Sequence, residues 1–364
     1  MAYETGAQSK PAAVPPFAGS LLRRSAITLG GLLIYHFASF IPLPHIDANA
    51  AADFFANDGA HLPFQRLSGF MLGTIPMFSA LILAEFIMLF STTMRNWQLD
   101  PKSNFHRGVL AIALLLSAFQ AWGMAKGLEG INSGLVIEPG GAFRISTAVS
   151  FMAATGLIAW LASIITKHGL GSGFWLLFLT PALANAPTHA GNLVSAVTTG
   201  AIAPAGFLIL IVFVILAAFA LVALERANPG LAASEGLIWP PLLAGVAAAW
   251  LLAPMVLFVS AENIIDSAVQ TTAPGHLLRL IALAVLVPAL TLWRIQSLKE
   301  SGSAVPISSP VTIAFVLTAI LIAAELAIAR LGLPNMQDGP TLIILVSVAL
   351  SVLASARNAK PKAL

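Results

Sequence analysis

Two carboxylates, Glu85 and Glu325, stand inside long apolar runs, and they are the side chains best placed to do chemistry. An ionised acid at the centre of a membrane helix costs about 2.5 to 3.5 kcal/mol on insertion scales, so it persists where it has a task or a partner. Glu85 lies deep in its run and is read as functional. Glu325 lies near the outer end of its run with Arg330 close behind, and is read as a helix-packing contact, as is His36 in the first run. The remaining chemistry is sparse. The seven histidines have no ligand spacing, and the absence of cysteine removes thiol nucleophiles, thiolate metal sites and disulfides. No Gly-x-x-x-x-Gly-Lys phosphate loop occurs. No two carboxylates share a helix face at i, i+3 or i, i+4 spacing. Gly169-Leu-Gly-Ser-Gly173 is glycine-rich but reads as a tight turn between two apolar runs. Neither an enzyme nor a cofactor, metal included, is expected.

The elements that carry these residues are membrane helices. Of 364 residues, 58% are hydrophobic and 9% charged, with a mean hydropathy of +0.90, against about a quarter charged in globular chains. Apolar runs long enough to span predict helices near 25–42, 75–91, 108–127, 143–166, 174–188, 203–224, 239–260, 276–294, 310–330 and 340–356. The fifth is short and interrupted by Pro181, which suits a helix shielded by its neighbours. Lys and Arg concentrate at both termini and in alternate loops (Arg23, Arg95, Lys102, Lys167, Arg226, Arg294, Lys299, Arg357), with few on the other side (Arg66, Lys126, Arg144, Arg279, Arg330). Both termini are therefore expected in the cytoplasm.

The expected architecture is an all-α integral membrane protein of ten transmembrane helices. These form two inverted five-helix halves, about 23–190 and 200–356, of one channel domain at 23–356. A disordered tail at 1–22 and a basic cytoplasmic tail at 357–364 flank it. Residues Phe64 to Phe90 break this regularity: a short amphipathic stretch is separated from a second apolar helix by Gly73-Thr-Ile-Pro76. Lipid cannot satisfy the backbone groups freed by such a hinge at Gly73 and Pro76, so protein or a water-filled cavity is expected around it.

Six motifs in order carry a family resemblance. Tyr35-His-Phe-Ala-Ser-Phe-Ile-Pro-Leu-Pro-His-Ile-Asp47 resembles R-x-G-S-x-I-P-x-P-G-I-D with His36 in place of an arginine, and Gly73-Thr-Ile-Pro-Met-Phe-Ser-Ala80 resembles G-I-x-P-Y-I-S-A. Phe119-Gln-Ala-Trp-Gly-Met-Ala-Lys-Gly-Leu128, Gly134-Leu-Val-Ile-Glu-Pro-Gly140, Ile165-Thr-Lys-His-Gly-Leu-Gly-Ser-Gly173 and Ser301-Gly-Ser-Ala-Val-Pro306 follow in sequence. All are similar to segments of SecY, the protein-conducting channel, and the chain resembles a divergent, shortened paralogue of it.

The resemblance implies a protein translocase channel of a bacterial inner membrane, with a central pore and a lateral gate, moving or inserting a restricted set of polypeptides. Its constriction ring would comprise Thr74, Phe78, Phe178, Ala182, Trp250 and Ile343 or Ile344. A plug at about 62–72 would use Leu62, Phe64, Leu67, Phe70 and Leu72. The lateral gate would hold Glu85, where the family usually carries glutamine, and Gln120. SecE-like and SecG-like small subunits, membrane lipid and the translocating polypeptide are the implied partners; nucleic acid is not.

Two loops depart from the pattern. The long basic loop between helices six and seven is cut to Glu225-Arg-Ala-Asn-Pro-Gly-Leu-Ala-Ala-Ser-Glu-Gly236, and that between eight and nine ends at Val305-Pro-Ile-Ser-Ser-Pro310 without the usual arginine. Docking of SecA or ribosomes is not expected on them. A proton-coupled carrier using Glu85 is the competing reading, and a channel-dead scaffold for SecE-like partners a third. A carrier wants several convergent polar groups at the midplane, where the sequence offers essentially Glu85.

Overall fold

The computed structural model describes residues 21–47, 49–51, 67–99, 103–131, 134–228, 231, 235–258, 274–300, 309–331 and 339–358. Leu21 and Leu22 of the expected first tail begin α1 and Arg357 and Asn358 of the second end α11, while the rest of both tails, Leu62, Phe64 and residues 301–308 lie outside the described residues. The fold is all-helical: α1 (Leu21–Ala38), α2 (Ile75–Phe90), α3 (Thr92–Leu99), α4 (Phe105–Gly130), α5 (Gly141–His168), α6 (Gly173–Thr198), α7 (Pro204–Ala227), α8 (Trp239–Phe258), α9 (Pro274–Glu300), α10 (Pro310–Leu331) and α11 (Gly339–Asn358). Among the described residues, six helices are long and apolar enough to cross a membrane: α4, α5, α7, and most of α9, α10 and α11. Ile75–Phe90 and Trp239–Leu251 are shorter apolar helices.

Two boundaries differ from the sequence expectation in ways that matter. The eighth expected helix stops at 294, but α9 continues to Glu300 and so carries Arg294 within the helix. Arginine in a last turn reads from sequence as a loop anchor, whereas here it turns inward to a partner. The fifth expected helix stops at 188, but α6 runs through Pro181 and Pro187 to Thr198.

Packing between helices in lipid gains nothing from hiding apolar surface, so close approach and polar contacts must hold them. α4 presents Ala113, Ser117, Ala121 and Ala125 at four-residue spacing, all 0% exposed. α5 packs against α4, and the Thr155 hydroxyl donates to Ser117 Oγ at 3.0 Å. At one end of this pair Glu129 Oε2 accepts from Arg144 at 2.6 Å and 2.8 Å while Oε1 accepts the Gly140 N–H at 2.8 Å. α2 lies on the other side of α4, burying Ala80, Ala84 and Met88 against Phe105, Val109 and Ala113. A second set of contacts joins α8 to α9, α9 to α10, and α11 to α7.

The glycine-rich turn at Gly169–Gly173 is structural, as expected. The Leu170 N–H donates to Thr28 Oγ1 at 2.8 Å, that of Gly171 to Ser355 Oγ at 3.3 Å and that of Gly173 to Thr166 Oγ1 at 2.8 Å, tying α1, α5 and α11 to the turn. A Cβ on Gly173 would collide with the Ala162 carbonyl. His36 sits with its ring 5.2 Å from that of Phe40, edge to face, a packing residue.

Candidate functional site

The break before α2 is built by local backbone chemistry. Gly73 adopts φ +49°, a left-handed conformation that glycine enters without penalty, and a Cβ there would press on the Tyr35 hydroxyl at 3.0 Å. Pro76 then sits in the first turn of α2, where its missing N–H is harmless. The short stretch before the break is fastened to the connection after α1: Leu43 N–H donates to the Leu67 carbonyl at 2.8 Å, and Pro42 bridges Ser68.

Beyond the break, the first turns of α2 face a cavity of about 250 Å³. Phe78 of α2, Phe178 of α6 and Ile344 of α11 line it, with Leu242, Gly245, Val246 and Ala249 along α8. The Phe78 and Phe178 rings lie 5.0 Å apart. Of the expected ring residues these three come together. Thr74 is the buried N-cap of α2 and is not among the lining residues. Ala182 is half-buried, one turn beyond Phe178. Ile343 faces away into the cluster of α7, α9 and α10. Trp250 is replaced at the wall by Val246 and Ala249; its indole instead stacks on Phe86 at 5.1 Å and is 58% exposed.

Within the expected plug, Leu67 and Leu72 pack with Leu43, Phe143 and Phe151, and Phe70 meets Tyr35 edge to face at 6.3 Å. None of the three lines the cavity.

Both intramembrane acids have cationic partners that the sequence did not reveal. Glu325 of α10 accepts from Arg279 of α9 at 2.8 Å, not from Arg330, and this pair lines the cavity. Glu85, 3% exposed, accepts at Oε2 from Arg294 of α9 at 3.1 Å. Gln98 of α3 also hydrogen-bonds the Glu85 carboxyl. Three residues before Gln98 on α3, the Arg95 guanidinium donates to the Met88 carbonyl at 3.3 Å and lies 5.0 Å from the centre of the ring of Trp293, the neighbour of Arg294. Residues 293 and 294 of α9 are thus both held by the α2–α3 segment. Gln120 lies on α4 eleven residues beyond Val109, about 16 Å along the axis, and so does not belong to this group.

A third carboxyl completes the group, and sequence reading passed over it as part of a loop. Glu235, in the turn that opens α8, accepts from Trp239 Nε1 at 3.2 Å and from the Trp175 indole. Burial pushes its carboxyl above the ordinary value, while the two indole donors and the Arg294 charge pull the other way. The signal available in the sequence was an acid four residues before a tryptophan at a helix start.

The profile of the SecY family matches residues 68–231. The protein translocase subunit SecY of Escherichia coli (strain K12) is 28% identical over 227 residues, covering 57% of this chain and 50% of that protein. That of Rickettsia conorii is 29% identical over 200 residues, covering 50% and 46%. The chain spans about half the length of these curated relatives. Solved structures share the fold over nearly all of it. A SecY channel described by its plug domain, which stabilises the closed state and maintains a membrane seal, superposes with a TM-score of 0.58 at 13% identity, covering 98% of this chain and 95% of that one. Sec61 from the canine ribosome–channel complex gives 0.57 at 12%, with the same coverage. The chain thus resembles SecY in sequence over residues 68–231 and shares the fold of SecY and Sec61 channels over nearly all of its length.

Proposed function

We propose that the chain is a protein-conducting channel of a bacterial inner membrane that moves or inserts a restricted set of polypeptides. Ten helices, all those above except α3, span in two inverted halves of five, with both termini in the cytoplasm. The observation that carries this reading is the cavity where α2, α6, α8 and α11 meet, walled by Phe78, Phe178 and Ile344. A ring of apolar side chains seals by dewetting and by fitting around a threaded chain. The plug role is assigned to the stretch at 62–72, and clients leave sideways between α2 and α4 on one side and α8 and α9 on the other. SecE-like and SecG-like subunits brace the outside. The turn before α8 packs down with Leu237 and Ile238 buried, leaving SecA or a ribosome little projecting surface.

A proton-coupled carrier is disfavoured because its one candidate acid, Glu85, is engaged by Arg294.

The test exploits the absence of cysteine. Single cysteines at Phe78, Phe178 and the lipid-facing control Leu115, which is 70% exposed, are offered a stalled signal-bearing polypeptide carrying a thiol crosslinker. Crosslinks at the two phenylalanine positions and none at Leu115 are expected. Equal yields at all three, or none at 78 and 178, would overturn the channel.

A further inference from the structure

On the side where the basic loops lie, the phenylalanines of the cavity wall continue into an aromatic cluster. Trp175 sits in the first turn of α6 and Trp239 opens α8; their rings are 5.6 Å apart and nearly edge to face, and they are 1% and 4% exposed. From the cavity wall the contacts continue without a gap. The Trp175 ring lies 5.8 Å from that of Phe178 and 6.5 Å from that of Phe78. A polypeptide can pass two tryptophans held in such contact only if something parts them.

Glu235 is the residue that fastens them. Both indoles donate to its carboxyl, and its backbone is held at φ +54°. A side chain beyond glycine makes that left-handed conformation unfavourable, so it persists where surrounding contacts over-determine it. On its other side, Arg294 lies close enough for its charge to act on Glu235 while it hydrogen-bonds Glu85. One guanidinium on α9 therefore faces a carboxyl that clasps the aromatic wall and a carboxyl on α2.

We propose that Trp175 and Trp239, clasped by Glu235, form a stopper on the cytoplasmic side of the cavity, and that Arg294 couples it to Glu85 so that stopper and lateral seam open together. The inference rests on the channel reading, and adds to it a seal opposite the plug. Parting α2 from α9 takes Glu85 away from Arg294, which turns the guanidinium towards Glu235. The carboxyl then exchanges an indole donor for a charged one, and the clasp on the tryptophans loosens.

Access from the cytoplasmic face reads this directly, without any transport. Leu242 lines the cavity one turn into α8 from Trp239, so a cysteine there, the only one in the chain, lies behind the stopper. In inside-out vesicles carrying the full chain, a membrane-impermeant maleimide should label it slowly. Glu235→Ala should speed labelling by roughly tenfold, the equivalent of one or two lost hydrogen bonds to a buried acceptor, and Glu235→Gln, which keeps an acceptor for the indoles, should stay slow. Glu85→Gln, which frees the guanidinium for Glu235, should speed labelling; Arg294→Gln, which removes the cation that competes with the indoles, should stay slow; and the exchange Glu85→Arg with Arg294→Glu should be slow again. That rescue separates the latch from mere unfolding. Unchanged labelling in Glu235→Ala would overturn the stopper, and labelling of Glu85→Gln as slow as wild type, or of Arg294→Gln as fast as Glu85→Gln, would overturn the coupling. A chain that protects residue 242 but never crosslinks polypeptide at Phe78 refutes the channel reading instead.

Discussion

Arg294 donates to Glu85 at 3.1 Å across 209 positions of sequence, with the two side chains 12% and 4% exposed. The pair joins α2 to α9, elements that would have to separate for a polypeptide to leave the channel sideways. Removing one partner of a buried pair leaves the other charge uncompensated, at a cost of about 3–5 kcal/mol, whereas replacing both is often near neutral.

Glu85→Gln or Arg294→Gln alone should therefore loosen the seam more than the double variant does. Bismaleimide crosslinking between cysteines at Phe86 and Trp250, whose rings stack across the same seam, measures it. Additive effects of the two substitutions would show that the pair does not act as a unit.

The pH dependence of the stopper follows from Glu235. Its carboxyl is raised above 4.5 in the folded chain, chiefly by burial. A raised acid stabilises the closed form fully below its ordinary value, and that contribution is lost as pH climbs through the folded value. Arg294 and Glu85 are the other ionisable groups that act on this site. Labelling of Leu242→Cys relative to the same reporter in Glu235→Gln should rise with pH; a flat ratio refutes the assignment.

Phe78 and Phe178 should set the resting seal. In planar bilayers, replacing both with serine should raise ion conductance more than either change alone, because each ring covers the other at 5.0 Å. Deleting Leu62 to Leu72 should raise it as well. Conductance unchanged by the deletion would remove the plug role from that stretch.

Between α4 and α5, shape should matter more than hydrogen bonding. Ser117→Ala forfeits the bond from Thr155, worth about 0.6 kcal/mol on average in membrane helices. Ala121→Leu forces a large side chain into a fully buried contact and should cost about 1–3 kcal/mol. Thermal unfolding in detergent ranks the two, and the reverse order would contradict close packing as the source of stability.

At the other end of that helix pair, Glu129→Ala should lower the unfolding temperature more than Arg144→Ala. It strands the Gly140 N–H as well as the guanidinium. Equal shifts would mean that the Gly140 bond contributes nothing.

The sequence by itself determined where the apolar helices run and where the chain breaks. An apolar run of about twenty residues is a local property, set by transfer from water and by backbone bonds closed within the helix. The hinge at Gly73 to Pro76 and the turn at Gly169 to Gly173 were legible for the same reason: a left-handed φ, a missing N–H and a missing Cβ each act within a few residues. Only the tertiary structure decided what the buried charges meet. Glu85 looked solitary because its partner lies 209 residues away, on a helix that runs six residues beyond its expected end; Arg279, not the nearby Arg330, faces Glu325. Val246 and Ala249, rather than Trp250, reach the cavity because a rotation of α8 set by its packing on α9 chooses which face points inward. In lipid every apolar face is equally content, so hydropathy carries no record of that rotation, and the choice falls to close packing and to the few polar pairs between helices.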